Sequence, residues 1–173
     1  MARPIQPTIR THSVTSDPDG GVTPQENREA LAHWATGVAV LAASDGDEVE
    51  AITVTAFSPL SAEPPLVLAC LGNDAAVLYV LQDAGRFTVN LLAAGDRRAA
   101  SAFSQRMPPE PGRFAAGPDP VLQGALVALV CRLRETYPGG DHRIVVGQVE
   151  RIVLGDGDAD PLLYYRREYR TLD

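Results

Sequence analysis

A chain of 173 residues, 45% of them hydrophobic, is long enough for one domain with a full core and too short for two. Its net charge of -7 and pI near 4.9 give a field that repels phosphate backbones and anionic lipid heads, which excludes an electrostatic nucleic-acid or membrane-surface binder. No apolar run approaches the roughly 20 residues of a membrane span and the N-terminus carries no apolar leader, so the chain reads as cytoplasmic.

Residues 1 to 22 are rich in Pro, Thr, Ser, Asp and Gly and bury too little to offset their ordering entropy. A flexible N-terminal tail is expected there, ahead of one domain over residues 23–173. Thr23-Pro24-Gln25-Glu26 has the form of a capping box, and the helix it starts has Ala30, Leu31 and Trp34 on one face and Gly37 as its stop. Val38 to Ala43 and Val49 to Ala56 are strands joined across Asp45-Gly46, a hairpin signal. Leu66 to Leu71 is a third strand, entered in extended form through Pro64-Pro65. Asn73 or Asp74 caps a helix through Val77, Leu78 and Leu81 that stops at Gly85, and Arg86 to Leu92 is again a strand.

A short helix is expected around Ala99 to Phe103 and a loop over Met107 to Pro120, which holds five prolines. Val121 to Leu133 and His142 to Val153 form a long hairpin about Tyr137-Pro138-Gly139-Gly140-Asp141, and the last strand is Leu162 to Tyr165. Six or seven strands with two or three short helices predict a mainly β, antiparallel closed sheet, because closure removes exposed edges.

Several chemistries lack their residues. No G-x-G-x-x-G lies between a strand and a helix, the three histidines His12, His33 and His142 lack metal-ligand spacing, and neither G-x-S-x-G nor H-E-x-x-H occurs. Cys70 and Cys131 sit in separate apolar runs and read as two buried thiols, although sequence leaves a pairing between them open.

The segment Thr53-Val54-Thr55-Ala56-Phe57-Ser58-Pro59-Leu60-Ser61 joins a strand end to a hydroxyl-bearing loop, whose hydroxyls and free amides suit a flat ring with polar edges. Together with Thr36-Gly37-Val38, Pro64-Pro65-Leu66, Cys70-Leu71, Phe87-Thr88-Val89-Asn90-Leu91-Leu92, Gly140-Asp141-His142 and Tyr169, it resembles the flavin reductase family. The matches run in order over residues 28 to 172. In particular it resembles the small reductases of two-component monooxygenases of aromatic polyketide pathways, which share the Tyr-Pro-x-Gly-Asp-His spelling.

The resemblance implies an antiparallel FMN-binding split β-barrel, a homodimer, with FMN or FAD as cofactor and NADH or NADPH as co-substrate. It further implies that Thr53, Val54, Thr55, Ala56, Phe57, Ser58 and Ser61 line the flavin ring and ribityl chain. Cys70, Gly72, Asn73 and Ala75 would approach its phosphate, Phe87, Asn90 and Leu91 form another wall with Tyr169 nearby, and His142 lies at the nicotinamide as the catalytic residue. Reduced flavin would pass to an oxygenase or halogenase. Ala56 and Pro59 stand where the family has serines, and Asp74 adds a carboxylate beside the expected phosphate. These departures frame the rival expectation, a split barrel with a degraded flavin site that binds another ligand or catalyses a redox-neutral biosynthetic step.

Overall fold

The computed structural model describes residues 21–46, 48–155 and 157–172. Residues 1–20 lie outside them, and with them most of the expected tail. The chain divides into two units between Trp34 and Ala35. Helix α1 (Pro24–Leu31) belongs to the first and buries none of its residues. Its capping box is formed as expected, with the Thr23 amide donating to Glu26 Oε2 at 2.8 Å and the Glu26 amide donating to Thr23 Oγ1 at 3.2 Å. Gly37 is not its stop. The helix ends at Ala32, and Gly37 lies in strand β1 (Thr36–Gly37).

In the second unit, β2 (Ala39–Ser44), β3 (Val49–Val54), β4 (Phe57–Ser61), β5 (Leu66–Gly72), β6 (Arg86–Leu91), β7 (Val127–Gly139) and β8 (His142–Leu154) form one antiparallel sheet. Its order is β3-β2-β6-β7-β8-β5-β4. The two outermost strands are consecutive in the chain, joined only by Thr55-Ala56, so the sheet curls until its ends meet there. This is the expected antiparallel barrel. A second sheet pairs β1 with β9 (Leu163–Tyr165) and β9 with β10 (Glu168–Arg170).

Strand β2 is buried on both faces because two cores meet on it. Ala39, Leu41 and Ala43 point into the barrel with Val67, Ala69, Leu71, Phe87 and Val89, and helix α2 (Ala76–Ala84) caps that core with Val77, Leu78 and Leu81. On the other face Val40 packs with Ala99, Ala100 and Phe103 of α3 (Arg97–Ser104) and with Leu122 and Leu162. Leu41, Leu71 and Leu81 are each at most 1% exposed, and each such side chain contributes about 2 kcal/mol through removal from water. No helix among the described residues is long and apolar enough to cross a membrane.

Four expectations are corrected. Residues 57–61 are an edge strand rather than a loop, with a bulge between Pro59 and Ser61. Helix α2 is capped by Ala75 with no side-chain bond, because Asn73 and Asp74 are engaged elsewhere. Strand β7 begins at Val127 rather than Val121, since Leu122 is drawn away to Phe114 and to Asn90 and Gly124 takes a φ of 85°. Strand β10 has no counterpart among the expected strands. Its turn is made by Arg166 and Arg167 at φ 51° and 65°, left-handed positions that the residue types do not advertise.

Candidate active site

The β5–β8 ladder ends with Gly72 directly opposite His142. Beyond that pair the β7–β8 hairpin tip, Gly140-Asp141, projects past the end of β5 and is tied down by the next residue of the chain. The Asn73 amide donates to the Asp141 carbonyl at 3.0 Å, and Asn73 Nδ2 donates to the Gly140 carbonyl at 3.2 Å. His142 Nδ1 lies 2.7 Å from Asp141 Oδ1. That hydrogen bond, with the charge of His142, holds the Asp141 carboxyl below the usual carboxylate range. An ionised carboxylate can only accept, so Nδ1 carries the proton and Nε2 is left for another partner.

Asp74 is answered by a residue that the sequence reading had not singled out. Arg106, held at φ 56° just past α3, places its guanidinium 2.8 Å from the Asp74 carboxylate. The hydrogen bond from Arg106 and then its charge lower the Asp74 pKa. The carboxylate that threatened to repel a phosphate is thereby neutralised. Elsewhere, Arg86 is committed to Asp119 at 2.8 Å and Arg113 to Asp96 at 2.9 Å, while Arg97 is exposed.

The Thr53–Ser61 run is divided between the two faces of the barrel wall. Thr53 Oγ1 donates to the Ala100 carbonyl at 2.7 Å and so pins β3 to α3. Val54 is 6% exposed and belongs to the barrel core. Thr55 and Ala56 form the connection, and the Ala56 carbonyl accepts from the Cys70 amide at 2.9 Å. Antiparallel alternation then turns the backbone groups of Phe57 and Pro59 toward the open edge, where the missing N–H of Pro59 breaks no ladder bond. Ser58 is exposed and Ser61 half-buried. Phe57 and Leu91, with Gly37 and Leu126, line an apolar hollow of about 160 Å³.

Other expected ligand side chains prove to be core. Phe87 is 2% exposed and fills the space over Gly147, where a Cβ would meet its ring at 2.4 Å. Asn90 is fully buried: Nδ2 donates to the Val40 carbonyl at 3.1 Å and to Thr88 Oγ1 at 3.0 Å, and Oδ1 accepts from the Leu122 amide at 2.8 Å. It straps β2, β6 and the 121–126 segment together and has nothing left for a ligand. Ala75 is 1% exposed under α2. Tyr169 is half-buried, edge-on to Tyr164 at 5.5 Å, and burial raises its phenol pKa. Cys70, half-buried, and Cys131 are both free thiols, and burial pushes Cys131 up to about 12.

Comparison with known proteins agrees with this architecture. Residues 31–173 match the family model described as flavin reductase like domain. The chain is 48% identical over 145 residues to the reductase component of 4-hydroxyphenylacetate 3-monooxygenase of Thermus thermophilus, spanning 84% of this chain and 94% of that protein. It is 35% identical over 162 residues to an NADH-dependent flavin reductase of Rhodococcus sp, spanning 90% of each. Among solved structures, BorF, the flavin reductase component of a bacterial two-component tryptophan halogenase, superposes with a TM-score of 0.80 at 33% identity, over 87% of this chain and 98% of that one. The barrel, the order of its motifs and a match across four-fifths of its length agree: the chain belongs to the flavin reductase family.

Proposed function

We propose that the protein oxidises NADH, reduces a flavin, FMN or FAD, and releases it as the reductant of a separate monooxygenase or halogenase. The observation that carries this reading is the meeting of the Gly72-Asn73 turn with Gly140-Asp141-His142, residues far apart in sequence that two Asn73 hydrogen bonds hold together. When bound, the flavin supplies the hydride acceptor and NADH the hydride, so no side-chain nucleophile is needed. The chain's part is to bind and orient. The outward edge of β4, the hydroxyls of Thr55 and Ser58 and the hollow beside Phe57 and Leu91 fit an uncharged, polar-edged ring. His142, with Nδ1 held by Asp141, offers Nε2 to the nicotinamide side.

A homodimer belongs to the same proposal. Leu60, Tyr137, Ile152 and Leu154 are 47% to 76% exposed on the strands, apolar side chains that a second copy would cover. The rival reading, a degraded site with redox-neutral chemistry, gains no support, because Asp74 is paired and Pro59 stands where a strand tolerates it.

The test is NADH consumption by the purified protein with FMN and then with FAD. Turnover with at least one flavin is expected, and His142→Ala should lower kcat about tenfold or more while circular dichroism stays unchanged. No consumption with either flavin would remove the function. Parental turnover by His142→Ala would remove the role given to that residue.

A further inference from the structure

A second cleft lies behind the hairpin tip. It has a volume of about 380 Å³ and runs between α2 and the tip, with Asn73, Leu78, Tyr79, Gln82, Gly140 and Arg143 in its walls. Consecutive strand residues face opposite ways. Arg143 pairs with Leu71, whose side chain is in the barrel core under α2, so Arg143 lies on the α2 side of the sheet and His142 on the other. The hydrogen bond from Asn73 Nδ2 to the Gly140 carbonyl is the wall that the cleft shares with the His142 side.

The chemistry of the cleft is distinctive. Arg143 and Arg113 are the half-buried arginines among the described residues. Arg113 is paired with Asp96 at 2.9 Å, whereas no carboxylate among the described residues lies within ion-pair distance of Arg143. A partly desolvated guanidinium without a counter-ion is costly unless an anion visits it. Beside it stand the Tyr79 ring, 59% exposed although its hydroxyl donates to the Asn73 carbonyl at 3.3 Å, and the carboxamide of Gln82. A phosphate-binding fork, an open aromatic face and an amide edge in one cleft match a nucleoside diphosphate.

We propose that this cleft takes the adenosine diphosphate portion of a dinucleotide, with Arg143 on the phosphates and Tyr79 under the base. The proposal rests on the reductase reading for its meaning, since FAD and NADH each carry that portion and FMN does not.

Two measurements test it. Isothermal titration of the whole protein with ADP alone is expected to show binding that weakens about tenfold in Arg143→Gln, the loss of one charge-assisted contact. Tyr79→Ala, on an exposed helix position, should weaken it independently and guards against a folding defect in Arg143→Gln. Steady-state assays then separate the sources. A KM rise in Arg143→Gln for FAD but not FMN assigns the cleft to the flavin's adenylate, and a rise for NADH with either flavin assigns it to the nicotinamide dinucleotide. ADP binding that is absent from the parent, or equal in both variants, overturns the proposal. The titration needs no turnover, so its failure is distinct from a failure to oxidise NADH.

Discussion

Asn73 holds Gly140: the carboxamide at the end of β5 donates to the carbonyl at the hairpin tip at 3.2 Å, across 67 residues of sequence. The residue expected to reach a flavin phosphate also braces the segment that carries His142. Asn73→Ala is expected to cost about 1 kcal/mol of stability, the net worth of one hydrogen bond, and to lower kcat more than it raises KM for flavin. Faster amide exchange at Asp141 and His142 would accompany it. Unchanged kcat with weakened flavin binding would show that Asn73 acts as a ligand and not as a brace.

Asn90 makes a sharper prediction because it is buried. Asn90→Ala leaves the Leu122 amide, the Val40 carbonyl and Thr88 Oγ1 without that partner in the core, and about 3 kcal/mol or more should be lost. Urea unfolding followed by tryptophan-independent circular dichroism measures it. A loss under about 1 kcal/mol would mean that water replaces the carboxamide.

Gly147 is required by its neighbour. A Cβ there would lie 2.4 Å from Phe87 Cζ and 3.0 Å from Cys131 Cβ, so Gly147→Ala should destabilise by about 2 kcal/mol through overpacking. Phe87→Leu in the same chain should recover part of that loss, a coupling that a double-mutant cycle reads directly.

The Asp74–Arg106 pair is exposed on both sides, so its removal should barely move the melting temperature. Its signature is in titration. The folded Asp74 pKa lies below its unfolded value, so the pair's contribution is present above the unfolded value and is lost as pH falls through the folded one. In Arg106→Ala the Asp74 carboxyl resonance should titrate at higher pH than in the parent. An unmoved midpoint would mean that the two groups do not interact in solution.

The two thiols should separate by reactivity. Cys131 is fully buried, with burial pushing its thiol up to about 12, whereas Cys70 is half-buried. Iodoacetamide on the native protein near pH 8 should label Cys70 alone, and both residues after unfolding. Native labelling of Cys131 would contradict the barrel packing around Phe87.

What could be read from the sequence was local. The Thr23–Glu26 capping box, the Asp45-Gly46 hairpin, the left-handed stop at Gly85 and the strand that follows Pro64-Pro65 all follow from forces between near neighbours, and each stands where the residues place it. The ordered motifs were enough for the family and the barrel. Turns without their usual residues were not legible, as at Arg166-Arg167, nor was the strand hidden in the hydroxyl run at residues 57–61.

Only the tertiary structure decided which polar groups are free. Asn73, Asp74 and Asn90 look alike in sequence as small polar residues near expected ligand positions, yet one braces the hairpin, one is neutralised by Arg106 and one is sealed in the core. Asn73 reaches Gly140 across 67 residues, and Asp74 reaches Arg106 and Asn90 reaches Leu122 across 32. Which of two chemically similar side chains remains available to a ligand depends on contacts closed across that distance, and no local pattern encodes them.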